Sequence, residues 1–275
     1  MLRLAMPASL DQIVASTRRK VADTKPLVDL RQLERQAGNH VPRGFRHGLE
    51  SASRSGIPVI AELKRASPSR GLIRSDFDSA SLAKELEEAG ATALSVLTDA
   101  EFFEGSLENL RRASANTKLS CLRKDFIIDE FQLLEARANA ADAVLLIVAA
   151  LSDAELKRLA SRASDYGLDV LCEVHDENEL HRAVDTGCTL IGVNSRDLRT
   201  FKVDLETAFR LADLIPKNAL CVAESGIRSG ADIARLRAAG YESFLIGESL
   251  MKAKSPGEAL KALLAEAQRE SQELI

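Results

Sequence analysis

The run Pro58–Lys64 ends in Glu62-Leu63-Lys64, an acid and a base two residues apart. In an extended run alternate side chains share a face, so Ile60, Glu62 and Lys64 project together while Val59, Ala61 and Leu63 project the other way. The same parity aligns Leu122, Lys124 and Phe126, and again Leu171, Glu173 and His175. It also aligns Gly192, Asn194 and Arg196, and Val222, Glu224 and Gly226. In each run the polar members come at the carboxyl end. Lysines opposed by glutamates suit general acid–base chemistry, in which a cation polarises or protonates an oxygen and a carboxylate removes a proton. One polar residue at a strand end marks only where the chain leaves the core. Glu62, Lys64, Lys124, Glu173, Asn194, Arg196 and Glu224, in common register over five runs, mark a site.

A second feature is anion binding. Glu224-Ser225-Gly226-Ile227 and Gly247-Glu248-Ser249 close the last two runs of this kind. Each alone is a turn signal. Together they suit a phosphate held on backbone N–H groups, because glycine lets the main chain approach the anion and the last two strand-end loops of a barrel commonly hold one.

Such residues need strands to position them. From Ile57 onward, short β-branched runs alternate with amphipathic helical patterns about 25 residues apart, the length of one strand, loop and helix unit. Eight runs are read: Pro58–Lys64, Ala93–Thr98, Leu119–Lys124, Ala143–Val148, Asp169–Val174, Leu190–Asn194, Leu220–Glu224 and Ser243–Gly247. The alternation implies a parallel sheet. Eight consecutive units fit a single closed (β/α)8 TIM barrel, an α/β fold whose active sites lie at the carboxyl ends of the strands. The first run lacks a G-x-G-x-x-G turn, which argues against an open dinucleotide-binding sheet.

Helix boundaries agree with this reading. Ser152 with Glu155 and Asp176 with Glu179 have capping-box spacing, and Gly90, Gly167, Gly187 and Gly240 are placed to end helices. Ser255, Pro256 and Glu258 open the last helix, with Leu260, Leu263 and Leu264 as its buried stripe. Residues 57–275 are read as the barrel. Residues 1–56 are read as an N-terminal helical extension packed on it, since about 55 residues make a marginal core alone. There Ser9 with Gln12 starts a helix carrying Ile13, Val14 and Val21, and a second pattern surrounds Leu27 to Leu33.

Composition bounds the partners. With 45% apolar and 28% charged residues the chain can bury a sizeable core. Its 37 basic and 41 acidic residues give a net charge of −4, so no bulk positive field draws in nucleic acid or an anionic membrane. The absence of Trp and only 4% aromatics leave no base-stacking platform. Cys121, Cys172, Cys188 and Cys221 have neither C-x-x-C spacing nor disulfide-framework density and are expected to be reduced core thiols. No ligand spacing for a metal is found around His40, His47 or His181. No run of about 18 apolar residues is present, and Met1–Leu10 lacks the apolar stretch of a secretory leader, so the expected location is cytoplasmic.

Ile60-Ala-Glu-Leu-Lys-Arg-Ala-Ser-Pro-Ser69, Leu122-Arg-Lys-Asp-Phe126, Cys172-Glu-Val-His175, Ile191-Gly-Val-Asn-Ser-Arg-Asp-Leu198, Ala223-Glu-Ser-Gly226 and Leu245-Ile-Gly247 together closely resemble the indole-3-glycerol phosphate synthase family. The resemblance runs from the N-terminal helices to the last strand. It implies a carboxy-lyase that closes the ring of 1-(2-carboxyphenylamino)-1-deoxyribulose 5-phosphate, with loss of carbon dioxide and water, in tryptophan biosynthesis. No metal or organic cofactor is implied. On this resemblance Lys124 matches the general acid, Glu173 the general base and Glu62 a second acid. Lys64 would act on the leaving hydroxyl or hold anionic groups.

Ser67, Phe103, Phe126, Asn194, Arg196, Leu198 and Glu224 would contact the substrate, a guanidinium such as that of Arg196 suiting a carboxylate or a ring face. Leu145 and Ile147 would complete the apolar lining. Ser225, Gly226, Gly247 and Glu248 would hold the phosphate. Position 248 carries Glu where some members of the family carry Ser, which leaves both its side chain and its backbone N–H as candidates for the phosphate contact.

His175 shares the parity of Glu173 but stands directly before the Asp176 helix cap and is assigned to structure. The expected partner is a small phosphorylated substrate, bound by a monomer, with other tryptophan-pathway enzymes as further candidates. Two rivals remain at this point. A phosphoribosyl anthranilate isomerase-type barrel would need a cysteine at a strand end facing the lumen, and Cys121, Cys172 and Cys221 have the wrong parity. A non-catalytic phosphate-binding barrel would have no use for opposed lysines and glutamates.

Overall fold

The computed structural model describes residues 9–198 and 200–273. The first eight residues, read above for a leader, lie outside them. Among the described residues three α-helices precede the first strand: α1 (Leu10–Thr24), α2 (Leu30–Gly38) and α3 (Phe45–Ser53). Strand β1 (Val59–Leu63) is followed by a small antiparallel hairpin, β2 (Ala66–Ser67) and β3 (Gly71–Leu72). Seven more strands complete the sheet: β4 (Ala93–Leu97), β5 (Ser120–Lys124), β6 (Ala143–Ile147), β7 (Asp169–Val174), β8 (Leu190–Asn194), β9 (Leu220–Glu224) and β10 (Ser243–Ile246). Each strand pairs in parallel with its neighbours, and β1 closes the circle between β10 and β4. All eight runs read from the sequence are present, their ends displaced by no more than one residue.

The helices between the strands are α4 (Ser79–Glu88), α5 (Ala100–Phe103), α6 (Leu107–Ala115), α7 (Glu130–Ala138), α8 (Asp153–Asp165), α9 (Glu177–Asp185), α10 (Glu206–Ala212), α11 (Gly230–Ala238), α12 (Glu248–Lys252) and α13 (Pro256–Glu273). Capping explains where several begin. Ser9 with Gln12 and Ser152 with Glu155 form complete capping boxes. Asp176 caps α9 through the Glu179 N–H, but the Glu179 side chain turns instead to His175.

Strand parity separates two cores. Ile60, Leu122, Leu145, Leu171, Val222 and Leu245 fill the lumen, whereas Val59, Ala61, Leu63, Cys121, Cys172 and Cys221 face the helices. A fully buried aliphatic side chain contributes about 1.5–3 kcal/mol. A slip of one residue would exchange the two sets and turn Glu62 and Glu173 into the helix layer, so register is strongly specified.

The N-terminal helices wrap the barrel from one mouth to the other. Helix α3 buries Phe45 and Leu49 in the lumen core, and its Arg46 N–H donates to Asp169 at the amino end of β7 at 2.9 Å. Helix α3 thereby seals the amino-terminal mouth. Helix α2 seats Leu33 and Ala37 on Phe131 and Leu134 of α7. The linker between α2 and α3 is tied down by the buried Asp142, which accepts from Arg43 N at 2.7 Å, Arg43 Nη2 at 2.6 Å, His40 Nε2 at 3.0 Å and Cys121 N at 2.6 Å. Burial opposes the charge of Asp142, but these donors outweigh it and hold the carboxyl below its ordinary range.

Three expectations change. The pattern around Leu27–Leu33 resolves into a 3-10 turn at Lys25–Leu27 and, after the Asp29 cap, α2; Leu27 is exposed. Helix α3 was not read, because its Gly44 start lacks a side-chain cap. The four cysteines are not all reduced: Cys172 on β7 and Cys188 beyond α9 form a disulfide, with Cα atoms 6.4 Å apart. Their spacing in the chain carries no hint of this, since proximity comes from the return of α9 onto its own strand. Cys121 and Cys221 are free and buried, and burial pushes both thiols up to about 12. No helix among the described residues is long and apolar enough to cross a membrane.

Candidate active site

A cavity of about 520 Å³ opens at the carboxyl ends of the strands. Its wall contains Glu62, Lys64, Ser67, Phe103, Lys124, Phe126, Glu173, Asn194, Arg196, Leu198, Glu224, Ser225, Gly226, Gly247 and Glu248. The fold therefore brings every sequence-predicted site residue to one volume. Leu145 and Ile147 form part of the same wall, and the rings of Phe103 and Phe126 lie 6.2 Å apart between centroids.

The floor is a charge network fed by four strands. Lys124 Nζ, from β5, donates to Glu173 Oε2 of β7 at 2.8 Å and lies 3.6 Å from Glu224 Oε2 of β9. Lys64 Nζ, just beyond β1, donates to Glu62 Oε1 at 2.5 Å. Two glycines make room for the acids. A Cβ on Gly192 would stand 2.0 Å from Glu224 Oε1, and one on Gly247 would stand 2.5 Å from Glu62 Oε1.

Burial opposes the charge on Lys124, but Glu173, Glu224 and Glu62 together hold its proton well above the ordinary lysine range. Burial likewise opposes the charge on Glu173, yet Lys124 and His175 depress its carboxyl well below the usual value. Glu224 receives less of the shared ammonium. Burial, reinforced by Glu173 and Glu62, pushes its carboxyl up to about 8. Two carboxylates around one cation thus settle into one ionised and one protonated group near neutrality.

Above this floor the strand-end loops form the rim. Asn194 Oδ1 accepts the Arg196 N–H at 3.0 Å, which fixes the turn out of β8. The loop then folds back on itself: Asp204 N donates to Ser195 O at 2.9 Å, and Phe201 and Val203 reach the cavity wall. Beyond β9, Ser225 and Gly226 both have left-handed backbone, with φ of 62° and 88°. For serine this conformation is uncommon and strained, and such strain concentrates at functional sites. Gly247 and Glu248 lie at the start of α12 in the same wall.

The Glu248 side chain is drawn into ion pairs, with Arg70 Nε at 3.0 Å, Lys252 Nζ at 2.5 Å and Arg196 Nη2 at 3.4 Å. Sequence reasoning missed Arg70, Lys252, Arg228, Phe201, Leu10 and Ile13 of the wall. Arg70 follows the Ser67-Pro68-Ser69 motif directly and could have been added from it. Leu10 and Ile13 carried no signal, because they belong to α1 and reach the cavity only through the wrap of the N-terminal helices.

A closed eight-stranded barrel with lysines and carboxylates converging at the strand ends defines a (β/α)8-barrel enzyme of acid–base type. Among solved structures the chain has a TM-score of 0.63 with a mandelate oxidase mutant, at 16% identity, covering 88% of this chain and 94% of that one. With thiamine phosphate pyrophosphorylase from Pyrococcus furiosus the TM-score is 0.58 at 16% identity, covering 80% of this chain and 97% of that one. At that identity the likeness is one of fold alone. Residues 10–263 match the indole-3-glycerol phosphate synthase family. The indole-3-glycerol phosphate synthase of Koribacter versatilis (strain Ellin345) is 58% identical over 259 residues, which is 94% of this chain and 100% of that protein. The chain belongs to the indole-3-glycerol phosphate synthase family.

Proposed function

We infer that this chain carries out the reaction of its family as a carboxy-lyase of tryptophan biosynthesis, closing the pyrrole ring of 1-(2-carboxyphenylamino)-1-deoxyribulose 5-phosphate to give indole-3-glycerol phosphate, carbon dioxide and water. The observation that carries the assignment of roles is Lys124 Nζ set between Glu173 and Glu224 on the floor of the cavity. The aromatic carbon bearing the carboxylate attacks the ketone carbon, and the ketone oxygen takes the proton that makes it a hydroxyl. Lys124 is the cation placed to polarise that oxygen and supply the proton. An ammonium held this firmly acts first as a hydrogen-bonding cation, and gives up its proton as charge builds on the oxygen.

Loss of carbon dioxide then restores the aromatic ring. In the dehydration the hydroxyl leaves as water and a carboxylate removes a proton, the role assigned to Glu173. Glu62 shapes the network through Lys64, and Lys64 assists departure of the hydroxyl or holds anionic groups. Phe103, Phe126, Leu145, Ile147 and Leu198 offer an apolar slot for the benzene ring, with Ser67, Asn194, Arg196 and Glu224 at its polar edge. Phosphate is assigned to the main-chain N–H groups at Ser225, Gly226, Gly247 and Glu248, because the Glu248 carboxylate itself is engaged by three cations.

The described part of the N-terminal extension, residues 9–56, belongs functionally to the barrel, since α1 lines the cavity and α3 seals the opposite mouth. We take the working unit to be a cytoplasmic monomer; gel filtration with light scattering tests the monomer. The assay for the function follows carbon dioxide release and indole absorbance with the purified chain and its substrate. Lys124→Ala is expected to lower turnover by roughly two orders of magnitude or more, the scale of a lost general acid. Ligand binding without turnover in the unmodified chain would refute the reading.

A further inference from the structure

His175 directly follows β7, two residues beyond Glu173, and lies outside the cavity wall. Its ring bridges two carboxylates. Nδ1 lies 2.9 Å from Glu179 Oε2 on α9, the same oxygen that accepts the His175 backbone N–H at 2.9 Å. Nε2 is buried, has no aligned hydrogen-bond acceptor, and lies 3.3 Å from Glu173 Oε1. The other oxygen of Glu173 is the one that accepts from Lys124. Glu173 is thereby flanked by a cation on each oxygen.

The charged groups around the ring are Glu173 on its own strand and Glu179 on α9. Beyond Glu173 stand Lys124 on β5 and Glu224 on β9. A carboxylate beside each ring nitrogen favours an N–H at both, which is the imidazolium form. Burial alone would expel that charge, but Glu173 and Glu179 outweigh it and raise the ring to about 10.

We propose that His175 is a positioning residue for the reaction. Glu179 holds its ring as an imidazolium whose charge, 3.3 Å from Glu173 Oε1, holds that oxygen as an ion pair and leaves Oε2 as the oxygen that exchanges protons with Lys124 or the substrate. The capping pattern supports this: Glu179 has the position to complete the box at Asp176, yet spends its side chain on His175. The inference rests on Glu173 being the base.

The test combines three variants with a spectroscopic readout. In protein carrying isotope-labelled histidine, NMR of the unmodified chain is expected to show His175 doubly protonated through pH 8, and Glu179→Gln to move its titration to lower pH. His175→Gln is expected to lower kcat about tenfold with KM within about twofold, and Glu179→Gln to give a smaller loss of the same kind. A neutral His175 at pH 7, a wild-type kcat in His175→Gln, or an increase in KM that accounts for the whole loss overturns the proposal. Should His175→Gln fail to fold, Glu179→Gln and the titration carry the same test. Turnover retained in Glu173→Gln would instead remove the base assignment itself, whereas an inactive Glu173→Gln beside a fully active His175→Gln removes only the role of His175.

Discussion

Replacing Glu224 by Gln tests the claim that one ammonium cannot keep two buried carboxylates ionised. In the folded protein the Glu224 carboxyl is raised from 4.5 to about 8, first by burial and then by Glu173 and Glu62. The native state therefore binds a proton that the unfolded chain releases. The stability this group contributes is complete below about pH 4.5 and is lost as pH rises through about 8. At about 1.4 kcal/mol per pH unit, that displacement sets a ceiling of about 5 kcal/mol. Attraction from Lys124 at 3.6 Å is already contained in that displacement. Of that ceiling about 2 kcal/mol is already lost by pH 6, and about 3 kcal/mol more is lost between pH 6 and pH 9.

Glutamine keeps the shape and removes the titration. Urea unfolding at pH 6 and pH 9 should show the Glu224→Gln variant gaining about 3 kcal/mol on the parent between the two pH values. His175, also raised, loses stabilisation as pH climbs towards about 10, but does so in both proteins and cancels in the difference. Parallel stability profiles from pH 5 to pH 9 would mean that Glu224 is ionised throughout, and the argument from the shared ammonium would fall.

Glu173→Gln should depress turnover far more than substrate affinity; a large rise in KM at unchanged kcat contradicts its assignment as base. Gly192→Ala should lower turnover and cost about 1–3 kcal/mol of stability, because its Cβ would stand 2.0 Å from Glu224 Oε1 and force that side chain away from Lys124. A crystal structure of that variant with Glu224 unmoved would contradict the expectation. Phe45→Ala, which empties the plug at the closed mouth, should cost about 3–5 kcal/mol in chemical denaturation, and a loss below 1 kcal/mol would show that α3 does not seal the lumen core.

Much of the site was readable because it depends on local geometry. The two-residue period of a strand puts Glu62 with Lys64 and Glu173 with His175 on one face whatever the rest of the chain does. The caps at Ser9 and Ser152 are equally local, and both formed as their spacing implied. The misses have a common cause. Arg70 and Lys252 meet around Glu248, and Leu10 reaches the cavity wall, only after segments far apart in the chain are brought together. The Cys172–Cys188 disulfide depends in the same way on how α9 returns to its strand.

The amino-acid order alone determined the strands, their inward and outward faces, and the placing of acids and bases at their carboxyl ends, since each follows from neighbours a few residues away. Closure of the barrel decided which tips face one another. It set Lys124 across the lumen within reach of Glu173 and Glu224, and laid Glu62 against Gly247 where β1 joins β10. From that closure come the upward displacement of the Glu224 carboxyl and of the His175 ring, because a pKa depends on distances and burial that no linear spacing specifies.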